Sequence, residues 1–179
     1  MDDIAAWLSS TLKQLRQQRG WSLAQAAEKT GVSKAMLGQI ERNESSPTVA
    51  TLWKIATGLN VPLSRFITTP GSERPVYDAQ QQAMVVTPLF PYDPVLRFDM
   101  FSITLAPGAQ SDSSPHEQGV IEHVIVLTGE LSLCVEGQWH TLSAGEAWRF
   151  IADVPHSYAN HSAITTVFQS LIHYPSSTV

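Results

Sequence analysis

The stretch PHEQGVIEHVIVLTG holds the side chains with the clearest capacity for chemistry. His116, Glu117, Glu122 and His123 fall within eight residues and precede an apolar run that ends at a glycine. Imidazole and carboxylate groups are common ligands of divalent transition metals. Three interpretations are open here: a metal site that performs a reaction, a site that senses a metal or small molecule, or the polar rim of a barrel with neither role.

The composition is that of a globular protein able to bury a core, with 43% hydrophobic and 15% charged residues in 179. No run approaches the roughly 18 apolar residues that a membrane helix needs. The N-terminus MDDIAAWLSS opens with two aspartates, whereas a signal peptide carries positive charge there. Cys134 is the only cysteine, which excludes an internal disulfide and a cysteine zinc cluster. We therefore expect a soluble, cytoplasmic protein without a membrane partner.

Charge divides the chain into two parts. Residues 1–67 hold eight Lys and Arg against five Asp and Glu, a net of +3. Residues 68–179 hold three Lys and Arg against eleven Asp and Glu, a net of −8. Such asymmetry is typical of a nucleic-acid-binding module joined to a module that does not bind nucleic acid.

The residue pattern changes at the same place. Residues 1–67 carry apolar residues at helical spacing with Ser, Thr and Gly at the expected ends, which predicts five short helices. Residues 68–82, TTPGSERPVYDAQQQ, are rich in Pro, Gly, Ser and Gln and predict a linker. Residues 83–179 carry short β-rich runs broken by Gly and Pro: AMVVTPLF, FDMFSITLA, EHVIVLTG, LSLCVEG, QWHTLSAG, AWRFIA and ITTVFQSLIHY. These runs predict an antiparallel sandwich or barrel.

The segment SLAQAAEKTGVSKAMLGQIERN has the pattern of a helix-turn-helix. Two helices, the second capped by Ser33, flank a turn that contains Gly31. With Val32, Leu37 and Ile40 facing the core, the outward face near the start of the second helix would present the following residues to a major groove: Lys34, Ala35, Met36, Gly38 and Gln39. The alternative is a small helical bundle used for protein contacts.

Side-chain chemistry suggests how this helix would read DNA. Lys34 could donate to guanine O6 and N7 or to a phosphate, and Gln39 could pair with adenine through two hydrogen bonds. Ala35 and Met36 could contact a thymine methyl group, and Gly38 would let the backbone approach closely.

Residues 10–67 resemble the XRE family of helix-turn-helix domains, which is related to phage repressors. The resemblance implies a five-helix DNA-binding domain in which Arg16 and Glu41 form a structural ion pair. It also implies that the loop NESSPT holds phosphate through Asn43, Ser45 and backbone amides. A domain this small reads few base pairs, so we expect a homodimer on two operator half-sites.

Residues 83–174 resemble the cupin fold, an all-β, double-stranded β-helix jelly roll. In that family two histidines, a glutamate and a further histidine bind a divalent metal inside the barrel. The resemblance places His116, Glu122 and His156 at three ligand positions, while Gln118 occupies that of the missing histidine. Ile151 and Asp153 also depart from the family's second motif.

The ligand set leaves two interpretations of the pocket. Two imidazoles, a carboxylate and an amide oxygen could hold Zn²⁺, Fe²⁺, Mn²⁺ or Ni²⁺ with one or two positions open. Alternatively, the same residues line a metal-free pocket that hydrogen-bonds an effector directly. A structural role for all four is disfavoured because inward-facing charge in a barrel is costly.

The whole chain is similar to XRE–cupin transcription regulators. The resemblance implies a non-enzymatic, operator-binding regulator whose cupin domain senses a small-molecule effector and contributes to dimerisation, with target genes in sulfur utilisation. The alternative is a metal-dependent cupin oxygenase or isomerase fused to a DNA-binding domain. A ligand-free architectural repressor is a third possibility.

Overall fold

The structure, a computed structural model, describes residues 2–67 and 83–175. The chain divides into two compact units, residues 1–72 and 73–179. This boundary falls within residues 68–82, and the linker predicted there lies outside the described residues.

The first unit is helical. Its elements are α1 (Asp2–Gln18), α2 (Leu23–Thr30), α3 (Lys34–Glu41), α4 (Val49–Gly58) and α5 (Ser64–Ile67). Their apolar faces meet in one core, whose most deeply buried side chains include Leu12, Leu37, Ile40, Ile55, Leu59 and Phe66. In the described part of this unit, burial of these faces supplies the main stabilisation that such short helices need.

Local capping sets the turn between α2 and α3. The Ser22 hydroxyl accepts from the Gln25 backbone N–H, and the Gln25 side chain accepts from the Ser22 N–H, which forms a complete capping box. Gly31 ends α2 in the left-handed region at φ 66°, where glycine has no steric penalty. Ser33 then caps α3 by accepting from the Met36 N–H. The chain therefore reverses within a few residues and presents α3 as a separate helix.

The second unit contains two antiparallel sheets. Within residues 83–175 its strands are β1 (Met84–Asp93), β2 (Phe98–Leu105), β3 (Gln110–Ser113), β4 (Ile121–Thr128), β5 (Glu130–Val135), β6 (Gln138–Ser143), β7 (Ala147–Ile151), β8 (His156–Ala159) and β9 (Thr166–His173). The five-stranded sheet has the order β1-β2-β9-β4-β7, and the four-stranded sheet has the order β3-β8-β5-β6. The predicted fold class, a five-helix domain followed by an all-β cupin domain, is confirmed.

Strand alternation builds the interior between the sheets. Along β2 and β9 every second residue is buried, as expected when one face of a sheet covers a core. The register aligns Asp99, Ile172, Glu122 and Phe150 in one row across β2, β9, β4 and β7. Two carboxylates of this row, Asp99 and Glu122, are fully buried.

Two strands were not among the β-rich runs recognised in the sequence. β3 and β8 are only four residues long and pair with each other. β8 matters for function because its first residue is His156, which the strand fixes opposite Val135 of β5.

None of the described helices is both long enough and apolar enough to span a bilayer.

Candidate functional sites

The exposed surface of α3 presents polar and apolar side chains together. Lys34, Ala35, Met36 and Gln39 are all exposed, whereas Leu37 and Ile40 are buried in the helical core. Met36 keeps 40% of its surface exposed, so a large apolar side chain lies beside Lys34 and Gln39 on this face. This surface has the chemistry to contact base edges.

Arg16 and Glu41 connect α1 to the end of α3. Arg16 Nε lies 2.5 Å from Glu41 Oε1, and Nη2 lies 2.7 Å from Oε2, so the two planar groups pair through two bonds. Arg16 Nη1 also donates to the Trp21 carbonyl at 2.7 Å. The hydrogen bond to Glu41 raises the pKa of the Arg16 guanidinium. Both side chains are largely buried, so this pair fixes the orientation of α3 on the helical unit.

The loop after α3 contains Asn43 and Ser45. Asn43 is exposed and adopts a left-handed conformation at φ 56°, which asparagine tolerates better than most residues. Ser45 is half-buried. Next to them, Arg42 and Glu44 form an exposed ion pair through two hydrogen bonds of 2.8 and 2.7 Å.

In the second unit, three side chains that are distant in sequence converge. His116, Glu122 and His156 each offer one ligand atom, and these atoms lie within 4.8 Å of one another. Glu122 Oε1 is 2.9 Å from His116 Nε2 and 3.5 Å from His156 Nε2. The three side chains have exposures of 7%, 0% and 0%, so the cluster is shielded from bulk water.

The tautomer of His156 is set by the backbone. His156 Nδ1 lies 2.9 Å from the Val154 carbonyl oxygen, which can only accept, so Nδ1 carries a proton. Nε2 has no hydrogen-bond partner among the described residues, although it is buried and directed at Glu122. His156 Nε2 is therefore the atom available to a metal ion, and this arrangement is the one that metal-binding histidines adopt.

The other oxygen of Glu122 is occupied by the protein. The hydroxyl groups of Tyr158 and Ser170 both donate to Glu122 Oε2, the latter at 3.2 Å. Burial raises the pKa of Tyr158 well above its usual value, and the charge of Glu122 adds to this effect, so the phenol stays a donor. Glu122 Oε2 is thus held by two donors, while Oε1 faces the histidines.

Charge balance in the cluster depends on the histidines. Burial alone would raise the pKa of Glu122, but its hydrogen bond with His116 and the adjacent imidazole of His156 hold that pKa well below its usual value. Burial alone would lower the pKa of His156, but Glu122 raises it. Glu122 therefore favours the protonated form of His156, and a divalent cation bound at the cluster would replace that proton.

A separate buried carboxylate lies along the same row of the sheet. Asp99 is fully buried and accepts a hydrogen bond of 3.2 Å from the Tyr174 hydroxyl. Burial raises the pKa of Tyr174 well above its usual value, and the Asp99 charge adds to the effect. The interior of the barrel is therefore rich in oxygen ligands and acceptors.

Comparisons with known proteins match this architecture. Residues 12–66 match the helix-turn-helix family model, and residues 101–171 match the cupin domain model. The HTH-type transcriptional regulator SutR of Escherichia coli (strain K12) is 68% identical over 99% of this chain and 100% of its own length. The chain belongs to the HTH-type transcriptional regulators that carry a cupin domain.

Other relatives of this regulator have the same two domains or one of them. HTH-type transcriptional regulator PuuR of Escherichia coli (strain K12) is 29% identical over 91% of this chain and 92% of its own length. A solved transcriptional regulator from Vibrio cholerae is 45% identical with a TM-score of 0.84, covering 96% of this chain and 97% of its own. The cupin domain of an XRE family transcriptional regulator from Enterobacter cloacae is 58% identical with a TM-score of 0.52, covering 52% of this chain and 99% of its own.

The regulator departs from the sequence predictions at Gly38. We expected Gly38 on the outward face of α3, but it is buried. A Cβ added there would lie 3.7 Å from Leu23 of α2 and 3.1 Å from the Arg42 guanidinium, because the helical turn points this position towards α2. The prediction that Gly38 is exposed was wrong, whereas its contact with DNA and the roles of the other α3 residues stay predictions.

Gln118 does not join the buried cluster of the regulator. Its side chain is exposed in the turn that separates His116 from β4. The amide would have to rotate inward to complete a four-ligand set, and its role as a ligand stays a prediction. Three converging side chains with coordination positions to spare are consistent with a site that also binds a second molecule.

Sequence reasoning missed the residues that support the cluster. Tyr158 is 36 residues and Ser170 is 48 residues from Glu122 along the chain, and β8 and β9 bring them together. The alternation of AITTVFQSLIH did carry one usable signal, because a serine at a buried position of a strand needs a hydrogen-bond partner.

Proposed function

We propose that this transcriptional regulator binds operator DNA as a homodimer through α3, and that its barrel senses a small-molecule effector with the aid of a divalent metal ion. The metal ligands would be His116, Glu122 and His156, and Gln118 would become the fourth by turning its amide inward. The regulator would act in the cytoplasm, and it would not be an enzyme. Similarity to SutR makes genes of sulfur utilisation the expected targets.

Exposure and chemistry support the DNA-binding part. Lys34 and Gln39 are exposed on α3 with donors suited to guanine and adenine edges, and Ala35 and Met36 provide apolar contacts. Ser33 caps the helix at the end that would enter the groove. The exposed Asn43 and half-buried Ser45 follow α3 in the loop where phosphate contacts are expected.

One observation carries the metal part: three ligand atoms gather within 4.8 Å, and one of them, His156 Nε2, is buried without a hydrogen-bond partner among the described residues. Buried polar atoms normally have partners, so a missing partner at the centre of a ligand cluster supports a bound ion. The donor set of two imidazoles and one carboxylate suits Zn²⁺, Fe²⁺, Mn²⁺ or Ni²⁺. Such an ion would supply positive charge and open positions for a donor atom of the effector.

Regulation requires that the effector distinguish two states of the protein. An effector changes operator affinity only when it binds the DNA-competent and DNA-incompetent states with different free energies. The proposal therefore assigns the barrel the task of binding the effector and the helical unit the task of binding DNA.

The deciding experiment is elemental analysis of untagged protein purified without chelator. Wild type should hold close to one metal ion per chain, His116→Ala should lose it, and His161→Ala, which changes an exposed histidine outside the cluster, should keep it. Operator affinity would then be measured with and without chelator. Absence of metal from wild type, even after incubation with Zn²⁺, would overturn the metal part and leave a pocket that binds its effector directly. Oxygen consumption by the loaded protein with an organic substrate would favour a metal-dependent enzyme instead.

A further inference from the structure

The barrel has an unpaired side between β6 and β7. β6 is the last strand of the four-stranded sheet, and β7 is the last strand of the five-stranded sheet. No ladder among the described strands joins them. Five of the six residues of β6 are exposed, on both faces of the strand, so water reaches this part of the barrel from either side.

Two aromatic side chains line the inner face of this opening. His140 pairs with Leu133, and Trp148 pairs with Val124; both partners are fully buried. Because paired residues point to the same face of a sheet, His140 and Trp148 also point inward. His140 is nevertheless exposed and Trp148 is only half-buried. The inner wall is therefore accessible from solvent at this point.

An unbroken aromatic surface leads from this opening to the metal-ligand cluster. The rings of His140 and Trp148 are 4.4 Å apart between centroids, and those of Trp148 and Phe150 are 5.9 Å apart. Phe150 then contacts His156 with 5.4 Å between ring centroids. We call His140, Trp148 and Phe150 the aromatic wall. It ends at the imidazole whose Nε2 atom is free to bind an ion.

The charges around the aromatic wall disfavour an effector that places a negatively charged group against the wall. Among lysines and arginines, the described part of the cupin unit contains two, Arg97 and Arg149. Arg149 pairs with His123 on the outer face of the sheet and is exposed, and Arg97 lies in the turn between β1 and β2. The interior contributes the carboxylates of Asp99 and Glu122 instead. A sulfate-like anion would find no lysine or arginine along the aromatic wall, whereas a flat uncharged group would contact aromatic faces.

We propose that the aromatic wall binds the flat, uncharged part of the effector, with Trp148 as the residue that sets specificity. The effector class is thus a small aromatic or otherwise planar molecule that carries one donor atom for the metal-ligand cluster. This inference rests on the proposed role of the barrel as an effector site. Trp148 offers a large, rigid ring at low entropic cost, and a planar group would stack on it or meet it edge to face.

The test uses 4-(4-fluorophenyl)imidazole as a probe and follows its fluorine resonance while full-length protein is added. The imidazole provides the donor atom, and the fluorophenyl ring provides the planar group. Titrations of metal-free and Co²⁺-loaded protein would be run side by side, with unsubstituted imidazole as the competitor. Co²⁺ absorption reports separately whether the cluster binds metal, so failure of the metal proposal is visible by itself.

Matched variants locate the binding surface. Trp148→Ala should weaken binding of the probe at least fivefold in either metal state, and Trp148→Leu should weaken it as well, because it keeps apolar volume but removes the ring. Trp139→Ala changes the neighbouring exposed tryptophan on the opposite face of β6 and should leave binding unchanged. Melting curves would show that each variant is folded. The proposal is overturned if wild type does not bind the probe in either state, or if folded Trp148 variants bind it as tightly as wild type does.

Discussion

At the scale of single residues, Glu122 uses its two carboxylate oxygens differently. Oε2 accepts from Tyr158 and Ser170, whereas Oε1 faces His116 and His156. A carboxylate held in this way presents one oxygen to an ion in a fixed direction, which favours binding through a single oxygen. The hydroxyl groups also offset the cost of burying the charge in the absence of any ion.

Replacement of Tyr158 by phenylalanine tests this positioning. The change removes one hydroxyl, keeps the ring and its stacking on Phe168, and frees Glu122 Oε2 to rotate. We expect Zn²⁺ affinity to fall about 10- to 100-fold, the usual effect of losing a hydrogen bond to a metal ligand. Competition with a chromophoric chelator measures the Zn²⁺ affinity of variant and wild type. Tyr92→Phe changes a tyrosine whose ring contacts Tyr174, and this variant should bind Zn²⁺ as wild type does. Equal affinities for all three proteins would refute the role given to Tyr158.

Tyr174 makes the free energy of unfolding fall as the pH rises in the alkaline range. Its pKa is raised in the folded protein, while the unfolded chain ionises near pH 10. The folded state therefore binds more protons above that pH, so the stability present below about pH 10 is lost as pH rises towards the folded-state pKa. Tyr174→Phe should make the decline in the free energy of unfolding between about pH 9.5 and 11 shallower. At pH 7 the same change should cost about 1–2 kcal/mol, because Asp99 loses a donor. Urea unfolding at a series of pH values gives the free energy of unfolding of variant and wild type. Parallel curves of that free energy against pH would contradict the raised pKa of Tyr174.

At the scale of elements, the helical unit depends on close approach between α2 and α4. A Cβ at Gly58 would lie 2.4 Å from the Lys29 carbonyl oxygen and 2.5 Å from the Thr30 Cα. Both are backbone atoms, which cannot move without displacing α2. At Gly38 the tightest neighbour is the tip of the exposed Arg42 side chain at 3.1 Å, and this group can rotate away.

Substitution by alanine should therefore change stability by different amounts at the two glycines. Gly58→Ala should destabilise the helical unit by about 1–3 kcal/mol through overpacking. Gly38→Ala should change stability by less than about 1 kcal/mol, because alanine gains helix propensity while Arg42 rotates aside. Thermal unfolding followed by far-ultraviolet circular dichroism compares them. An equal loss in both variants would mean that the contact between α2 and α4 is looser than the structure shows.

The recognition helix makes a prediction about sequence discrimination. Gln39→Ala should cost about 1–3 kcal/mol at one base position and relax discrimination there, while binding to other positions is retained. Gln14→Ala, an exposed glutamine on α1, serves as the control. Binding to a set of operators with single base changes measures the effect. Unchanged discrimination in the Gln39 variant would show that other residues of α3 contact the bases.

Some of these elements could be predicted from the sequence, and others could not. The capping residues Ser22, Gln25 and Ser33 act within a few positions, so the helix-turn-helix could be predicted from local pattern. His156 was identified by its motif although β8 was missed, because a four-residue strand has too little alternation to be recognised before pairing. The support of Glu122 by Tyr158 and the burial of Gly38 depend on register and helix packing across distant segments. No local pattern encodes those contacts.

At the scale of the whole molecule, two compact units have separate cores. A ligand that binds only one folded unit stabilises that unit by an amount set by its concentration relative to its dissociation constant. A metal ion bound at His116, Glu122 and His156 would therefore act on the unfolding of the cupin unit. The core of the helical unit contains none of the three ligands.

Calorimetry of metal-loaded and chelated protein should show this separation. At an ion concentration of about 100 times the dissociation constant, loading should add about 2.7 kcal/mol to the cupin unit and raise its melting temperature by roughly 10 °C or more. The transition of the helical unit should stay within about 1 °C. His116→Ala should show no response to metal. If both transitions moved together in wild type, the units would unfold as one.

The anchoring of the cluster also bears on how quickly the regulator can respond. His156 is held by the Val154 carbonyl and Glu122 by Tyr158 and Ser170, so the ligand atoms are in place before an ion arrives. The proposed ion then binds without waiting for a segment of the chain to order itself. Ordering of the site is therefore absent as a slow step in ion binding. A change in the supply of free metal or effector could then alter the occupancy of regulator molecules already in the cell, without synthesis of a new copy.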